Sequence, residues 1–139
     1  MRKKFLPILL IAALVLSIAT LAGCTQTVDD LLKKTADEAN KQCPMTVDSE
    51  TRMDSVQAAE GKILQYNYTM VNYAKSDLTA DQISQLQGII QQQAVSTIKA
   101  SADSSVKALK ALGVTFQFVY NGSDGVEMFH CSVTPDDYK

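Results

Sequence analysis

In the segment KILQYNYTMVNY, Leu64, Tyr66, Tyr68 and Met70 stand at every second position. Alternate side chains of a strand share a face, so this stretch turns four large groups to one side and is stable only when an apolar layer covers them. The chain supplies that layer next. Thr79-Ala80-Asp81-Gln82 matches a capping box, and Ile83, Leu86, Ile90, Ala94 and Ile98 then fall on one helical stripe. The stripe can be continued through Ala102, Val106, Leu109 and Leu112 to Gly113. One unbroken helix of that length would reach about 50 Å at 1.5 Å per residue, far longer than an eight-residue strand. Ser and Asp at 101–105 compete with helical hydrogen bonding, which predicts a long helix, a short loop and a second helix near 104–112.

Strands flank this helical unit on both sides. VDSETRMDSVQA precedes the turn Ala59-Glu60-Gly61 and makes a hairpin with the first strand described above. After Gly113, Val114, Phe116, Phe118 and Tyr120 alternate up to an Asn-Gly-Ser-Asp-Gly turn, and a second strand runs from Val126 to Val133. Phe129, Cys131 and Val133 share one face of it. Ahead of everything, TQTVDDLLKKTADEANKQCP reads as a short helix with Thr27 as N-cap, Asp29 and Asp30 in its first turn, and Pro44 beyond its end. Pro135 and the charged DDYK end read as a frayed terminus. The expectation is an α+β fold: a four-stranded antiparallel sheet from two hairpins, in the order β-β-α-α-β-β. Helices lie on one face, preceded by a short N-terminal helix.

The first residues specify an address. Arg2, Lys3 and Lys4 precede the apolar run FLPILLIAALVLSIAT, which closes in small residues before Cys24, the layout of an export signal. A spanning helix is permitted by length alone, but Pro7 and the cysteine favour cleavage. LAGC resembles the lipobox of bacterial lipoproteins. That resemblance implies a diacylglycerol on the Cys24 sulfur, cleavage after Gly23 and an acylated N-terminus, with covalent lipid on Cys24 and no other cofactor. It divides the chain into a signal peptide at 1–23, a lipidated N-terminus and short helix at 24–43, and a single α+β domain at 44–139. Each buried methylene contributes roughly 0.8 kcal/mol, so two or three acyl chains anchor stably. The lipoprotein sorting pattern holds back a chain with Asp after the cysteine, and this one has Thr25. In a two-membrane bacterium that implies the periplasmic face of the outer membrane, otherwise the outer face of the cytoplasmic membrane. The stretches PMTVDSETRMDSV, YNYTMVN, ALGVTFQFVY and VTPDD are similar to small uncharacterised exported bacterial proteins of the same hairpin, helix and hairpin plan.

Without residues 1–23, 116 residues remain, enough for one core, with 10 basic and 15 acidic side chains and a net charge of −5. Arg52 is the one arginine left, so a phosphate-neutralising patch is missing and nucleic acid is excluded as a partner. Cys43 and Cys131 would face an oxidising compartment, and their pairing would restrict the unfolded chain by roughly 4–5 kcal/mol in the loop-entropy picture. The competing readings are inert thiols or, with His130, an incomplete metal site with poor ligand spacing.

Candidate functional residues are few. Asp48, Glu50, Arg52 and Asp54 alternate, which on a strand forms a charged row in which Arg52, flanked by acids such as Asp54, could receive a carboxylate or phosphate. The simpler reading is a solvated surface, with Met53 and Val56 marking the buried side. Gln85 and Gln92 belong to an uncharged Gln/Ser helix face that could meet another protein at little desolvation cost. His130 is the lone histidine, and Cys131 points to the opposite face of their strand, so the two do not form a dyad. The expectation is a non-enzymatic binding or accessory module for another envelope protein. The alternatives are an inhibitor or exclusion factor against an external enzyme or phage, or an envelope enzyme using His130.

Overall fold

The structure, a computed structural model, describes residues 27–139. Thr27 caps α1 (Val28–Asn40) by accepting from the Asp30 N–H, as the capping pattern predicts. The buried Leu32, Thr35, Ala36 and Ala39 form its core-facing stripe. A two-residue strand β1 (Met45–Thr46) follows, then β2 (Thr51–Ala59) and β3 (Ile63–Met70) as the expected hairpin. Its turn needs left-handed backbone at Gly61 (φ 89°) and Lys62 (φ 62°). A 3-10 turn (Lys75–Asp77) leads into α2 (Ala80–Ala100), whose capping box is formed by Thr79 and Gln82. The helix stops where the Ser/Asp stretch begins. Asp103 then caps α3 (Ser104–Ala111) by accepting from the Ser105 N–H, and Lys110 Nζ reaches back to the Ile98 and Lys99 carbonyls at the end of α2. Gly113 (φ 78°) turns the chain into β4 (Thr115–Asn121), which pairs with β5 (Glu127–Val133).

The fold class is α+β, and the sheet departs from expectation in two ways. It has five strands in the order β1-β2-β3-β4-β5, and β3 and β4 run parallel where two antiparallel hairpins were expected to pair antiparallel. The cause of the parallel pair is the length of α3. The chain leaves β3 at Met70 and α2 carries it back along the sheet. An eight-residue helix spans about 12 Å and cannot return it to the starting end, so β4 enters beside the start of β3. The extra strand arises because Asp48 Oδ1 accepts from the Glu50 and Thr51 N–H groups. That side-chain turn takes residues 47–50 out of the expected first strand, so β2 begins at Thr51 and Met45–Thr46 fold back onto it as an extra strand.

The buried aromatic side chains of the sheet lie on one face. Tyr66 stacks on Phe118 with ring centroids 5.3 Å apart, and Tyr68, Tyr120 and Phe129 form a row across three strands at 4.9 and 5.0 Å. Such pairs contribute about 0.5–1.5 kcal/mol each beyond area burial. Met53 and Val56 are both buried although three residues apart, because a bulge between Met53 and Ser55 shifts the alternation. The C-terminal residues are docked, not frayed. Pro135–Tyr138 form α4, and the Tyr138 hydroxyl donates to the Val114 carbonyl at 2.8 Å while its ring meets Phe116 edge-on.

Candidate functional site

Cys24, and with it the expected signal and lipobox, lies outside the described residues. Arg52 and Asp54 lie on the sheet face away from the helices. Arg52 Nε donates to Asp54 Oδ1 at 2.6 Å, and the other oxygen of Asp54 accepts from the Thr69 hydroxyl. The four-residue charged row does not form, since Asp48 and Glu50 belong to the turn before β2. What remains is a polar strand surface continued by Ser55, Asn67 and Gln65, which are bonded in series.

Cys43 and Cys131 are both free, which departs from the expected disulfide. Cys43 precedes β1 at one edge of the sheet and Cys131 lies in β5 at the other. Several strand spacings of about 4.8 Å separate those edges, more than a disulfide can bridge. The Cys43 thiol donates to the Ala39 carbonyl and the Cys131 thiol to the Gln87 carbonyl. Burial raises the Cys43 thiol above its ordinary range and pushes Cys131 up to about 11. Among the described residues, no group of three or more His, Cys, Asp or Glu side chains is placed to hold a metal ion.

Gln85 and Gln92 are exposed on the outer face of α2, beside Ile89, which is 44% exposed. Two other glutamines of the same helix are used structurally, and periodicity gave no sign of it. Gln91 donates to the Ser132 carbonyl and accepts from the Ser132 N–H, and Gln87 donates to the His130 carbonyl. At the opposite side of the sheet, Asn40 donates to the Val56 carbonyl at 2.7 Å and accepts from the Val56 N–H at 2.8 Å. Side-chain amides thus take the place of a neighbouring strand on both β2 and β5, which closes edges that would otherwise invite another chain. The readable signal was limited to residue type: an amide at the end of α1 and amides four apart on α2.

Above the Gln87 contact, α2 and β5 part to leave an open groove of about 810 Å³. Leu78, Ile83, Met128 and Phe129 line it together with Val126, which is 47% exposed, and Lys75, Asp124, Glu127 and His130 contribute charged and polar atoms. A register shift in the β4–β5 ladder allows the consecutive Met128 and Phe129 both to be buried. Gly122 holds the walls together. Ser123 N–H donates to the Tyr73 carbonyl, and a Cβ on Gly122 would stand 2.7 Å from Lys75 N. His130 Nδ1 lies 2.9 Å from Glu127 Oε2, but the two side chains are 56% and 51% exposed. As expected, His130 and Cys131 face opposite ways. A solvated pair at the rim of an apolar depression suits recognition better than proton transfer, which gains from desolvation.

Residues 26–129 match a family described as a domain of unknown function, DUF8479. No curated protein matches the sequence. Three solved structures share the fold. A Pseudomonas aeruginosa protein described as secreted superposes with a TM-score of 0.65 at 12% identity, covering 81% of this chain and 93% of its own. The pilotin EpsS of the Vibrio vulnificus type 2 secretion system gives 0.58 at 11% identity, covering 81% and 92%. The type II secretion system pilotin AspS of Vibrio cholerae gives 0.53 at 15% identity, covering 92% and 98%.

Proposed function

The chain belongs to the DUF8479 family, and we propose that it is a lipid-anchored accessory module that binds another protein of the cell envelope. The observation that carries this reading is the groove between α2 and β5, where the half-exposed Val126 and the partly buried Leu78 and Ile83 stand over the buried Met128 and Phe129. A contiguous apolar depression with a polar rim is the anatomy of a binding site for a partner. The shared fold of two type II secretion pilotins supports the same class of role, a small envelope protein serving a larger assembly. Lipid on Cys24 would confine the domain to a membrane surface, and the partner would be met there. On this reading the protein is not an enzyme, and Cys24 carries its one covalent group.

The test is crosslinking in the native envelope with a C-terminally tagged chain, followed by mass spectrometry. One abundant partner, lost on Val126→Asp but retained on Arg52→Ala and Gln92→Ala, is the expected result. Retention on Val126→Asp with loss on Arg52→Ala or Gln92→Ala would move the site to those surfaces. No partner above background would remove the accessory function. The intact mass of the membrane fraction checks the anchor: residues 1–23 absent and acyl mass present, against a full-length, unacylated chain.

A further inference from the structure

The strand directions place Thr51, Met70, Asn121 and Glu127 at one end of the sheet, and Ala59, Ile63, Thr115 and Val133 at the other. Charge is divided very unevenly between these ends. Residues 47–54, 71–81 and 122–127, which belong to the first end, hold seven acids against Arg52 and Lys75, a net of −5. Residues 59–63, 99–115 and 133–139, at the second end, hold four acids and five lysines, a net of +1. The groove opens at the acidic end, between Asp124, Glu127 and Lys75.

Its edge is also closed to an added strand. The Val126 N–H is taken by Asp124 Oδ1 and its carbonyl by Gly122 N–H, while Gln87 occupies the His130 carbonyl. With Gln91 on both peptide groups of Ser132, the outward parity of β5 keeps only the peptide groups of Met128 and the His130 N–H, too few for strand addition. Recognition there must proceed through side chains packed on Val126, Ile83 and Met128.

We infer that the groove receives a basic amphipathic helical segment of the envelope partner, its apolar side on Val126 and Ile83 and its Lys or Arg side chains toward Asp124 and Glu127. This rests on the accessory function above and names the chemistry of its partner. Charge on the pole serves approach and orientation, and the apolar floor holds the segment once seated.

The experiment places a photo-crosslinking residue at position 126, 92 or 117 of the full-length chain in its native envelope, and the partner peptide is mapped by mass spectrometry. Crosslinks from position 126 to a segment of net positive charge, with apolar residues at helical spacing, are expected. Yield from that position should fall about tenfold in Asp124→Lys/Glu127→Lys. Glu127→Lys alone gives a second reading, since its carboxylate meets the His130 ring and no backbone group. Asp136→Lys at the other end should leave the yield unchanged. An acidic or uncharged segment at position 126, or a yield indifferent to the reversal, overturns the inference. Crosslinks from 92 or 117 and none from 126 also overturn it while the accessory function stands; silence at all three positions removes both.

Discussion

Replacing Asn40 by Ala tests whether side-chain amides close the sheet edges. The variant loses the 2.7 Å bond to the Val56 carbonyl and the 2.8 Å bond from the Val56 N–H. An intramolecular hydrogen bond contributes about 0.5–1.5 kcal/mol net, and a buried group left without a partner costs about 1–3 kcal/mol. Asn40 is exposed, so water can replace part of what is lost. The expected destabilisation is about 1–3 kcal/mol, read as a lower urea midpoint with unchanged slope, or a Tm lower by about 4–13 °C. Asn40→Asp separates hydrogen bonding from packing. Its carboxylate can accept from the Val56 N–H but meets the Val56 carbonyl with no proton to give. The fold therefore favours the protonated acid, and its pKa in the folded state lies above the unfolded value of about 3.9. The deficit relative to the parent chain is full above the folded pKa and shrinks as pH falls through it. An Asn40→Ala stability within about 0.5 kcal/mol of the parent, or an Asn40→Asp deficit indifferent to pH, would refute the edge-closing role.

Other outcomes follow from the same contacts. Gly122→Ala should destabilise the domain by about 1–3 kcal/mol and weaken crosslinking at the groove, because its methyl group meets Lys75 N; parent-like stability and yield would show that the hairpin shifts freely. Thiol alkylation of the native protein at neutral pH should label the half-buried Cys43 and spare Cys131 until denaturation, without prior reduction; labelling of both only after reduction would establish the disulfide instead. Burial lifts the Cys131 thiol in the folded chain, so stability should decline as pH rises through about 9 toward about 11. Cys131→Ala should lack that part of the decline, as followed by urea midpoints.

The elements legible in the sequence were those fixed by local chemistry. Thr27, the Thr79/Gln82 box, the Ser/Asp break after Ala100 and Gly113 each specify a boundary through a cap or a backbone angle. Period-two patterning likewise identified the buried faces of β3, β4 and β5. Pairing between the hairpins was not legible, because alternation is the same whichever way the neighbouring strand runs. The Asp48 turn could have been read from Asp followed two and three residues on by free N–H groups, but strand alternation at 48–54 fits the same residues. The groove was hidden for a different reason. Val126, Ile83 and Leu78 come from three elements, and nothing in their spacing records that they meet.

That meeting is a consequence of the parallel pair. Had α3 been long enough to carry the chain back, β4 would have started at the other end of the sheet, and β5 would have begun far from the N-terminus of α2. With an eight-residue α3, β4 runs beside β3 and the β4–β5 turn arrives at the end where α2 starts. Gly122 then lets the turn dock on the Ala74–Lys75 backbone, and Val126 is carried to the mouth of the gap. Below it, Gln87 and Gln91 hold α2 against β5 and limit the opening to the acidic end. The amides that shield the sheet from other chains therefore also delimit the groove. Gln91→Ala should loosen both, lowering stability by about 1–2 kcal/mol, read from the urea midpoint, and spreading crosslinks from position 126 along the β5 edge. Loss of stability with an unchanged crosslink pattern would separate edge closure from groove shape.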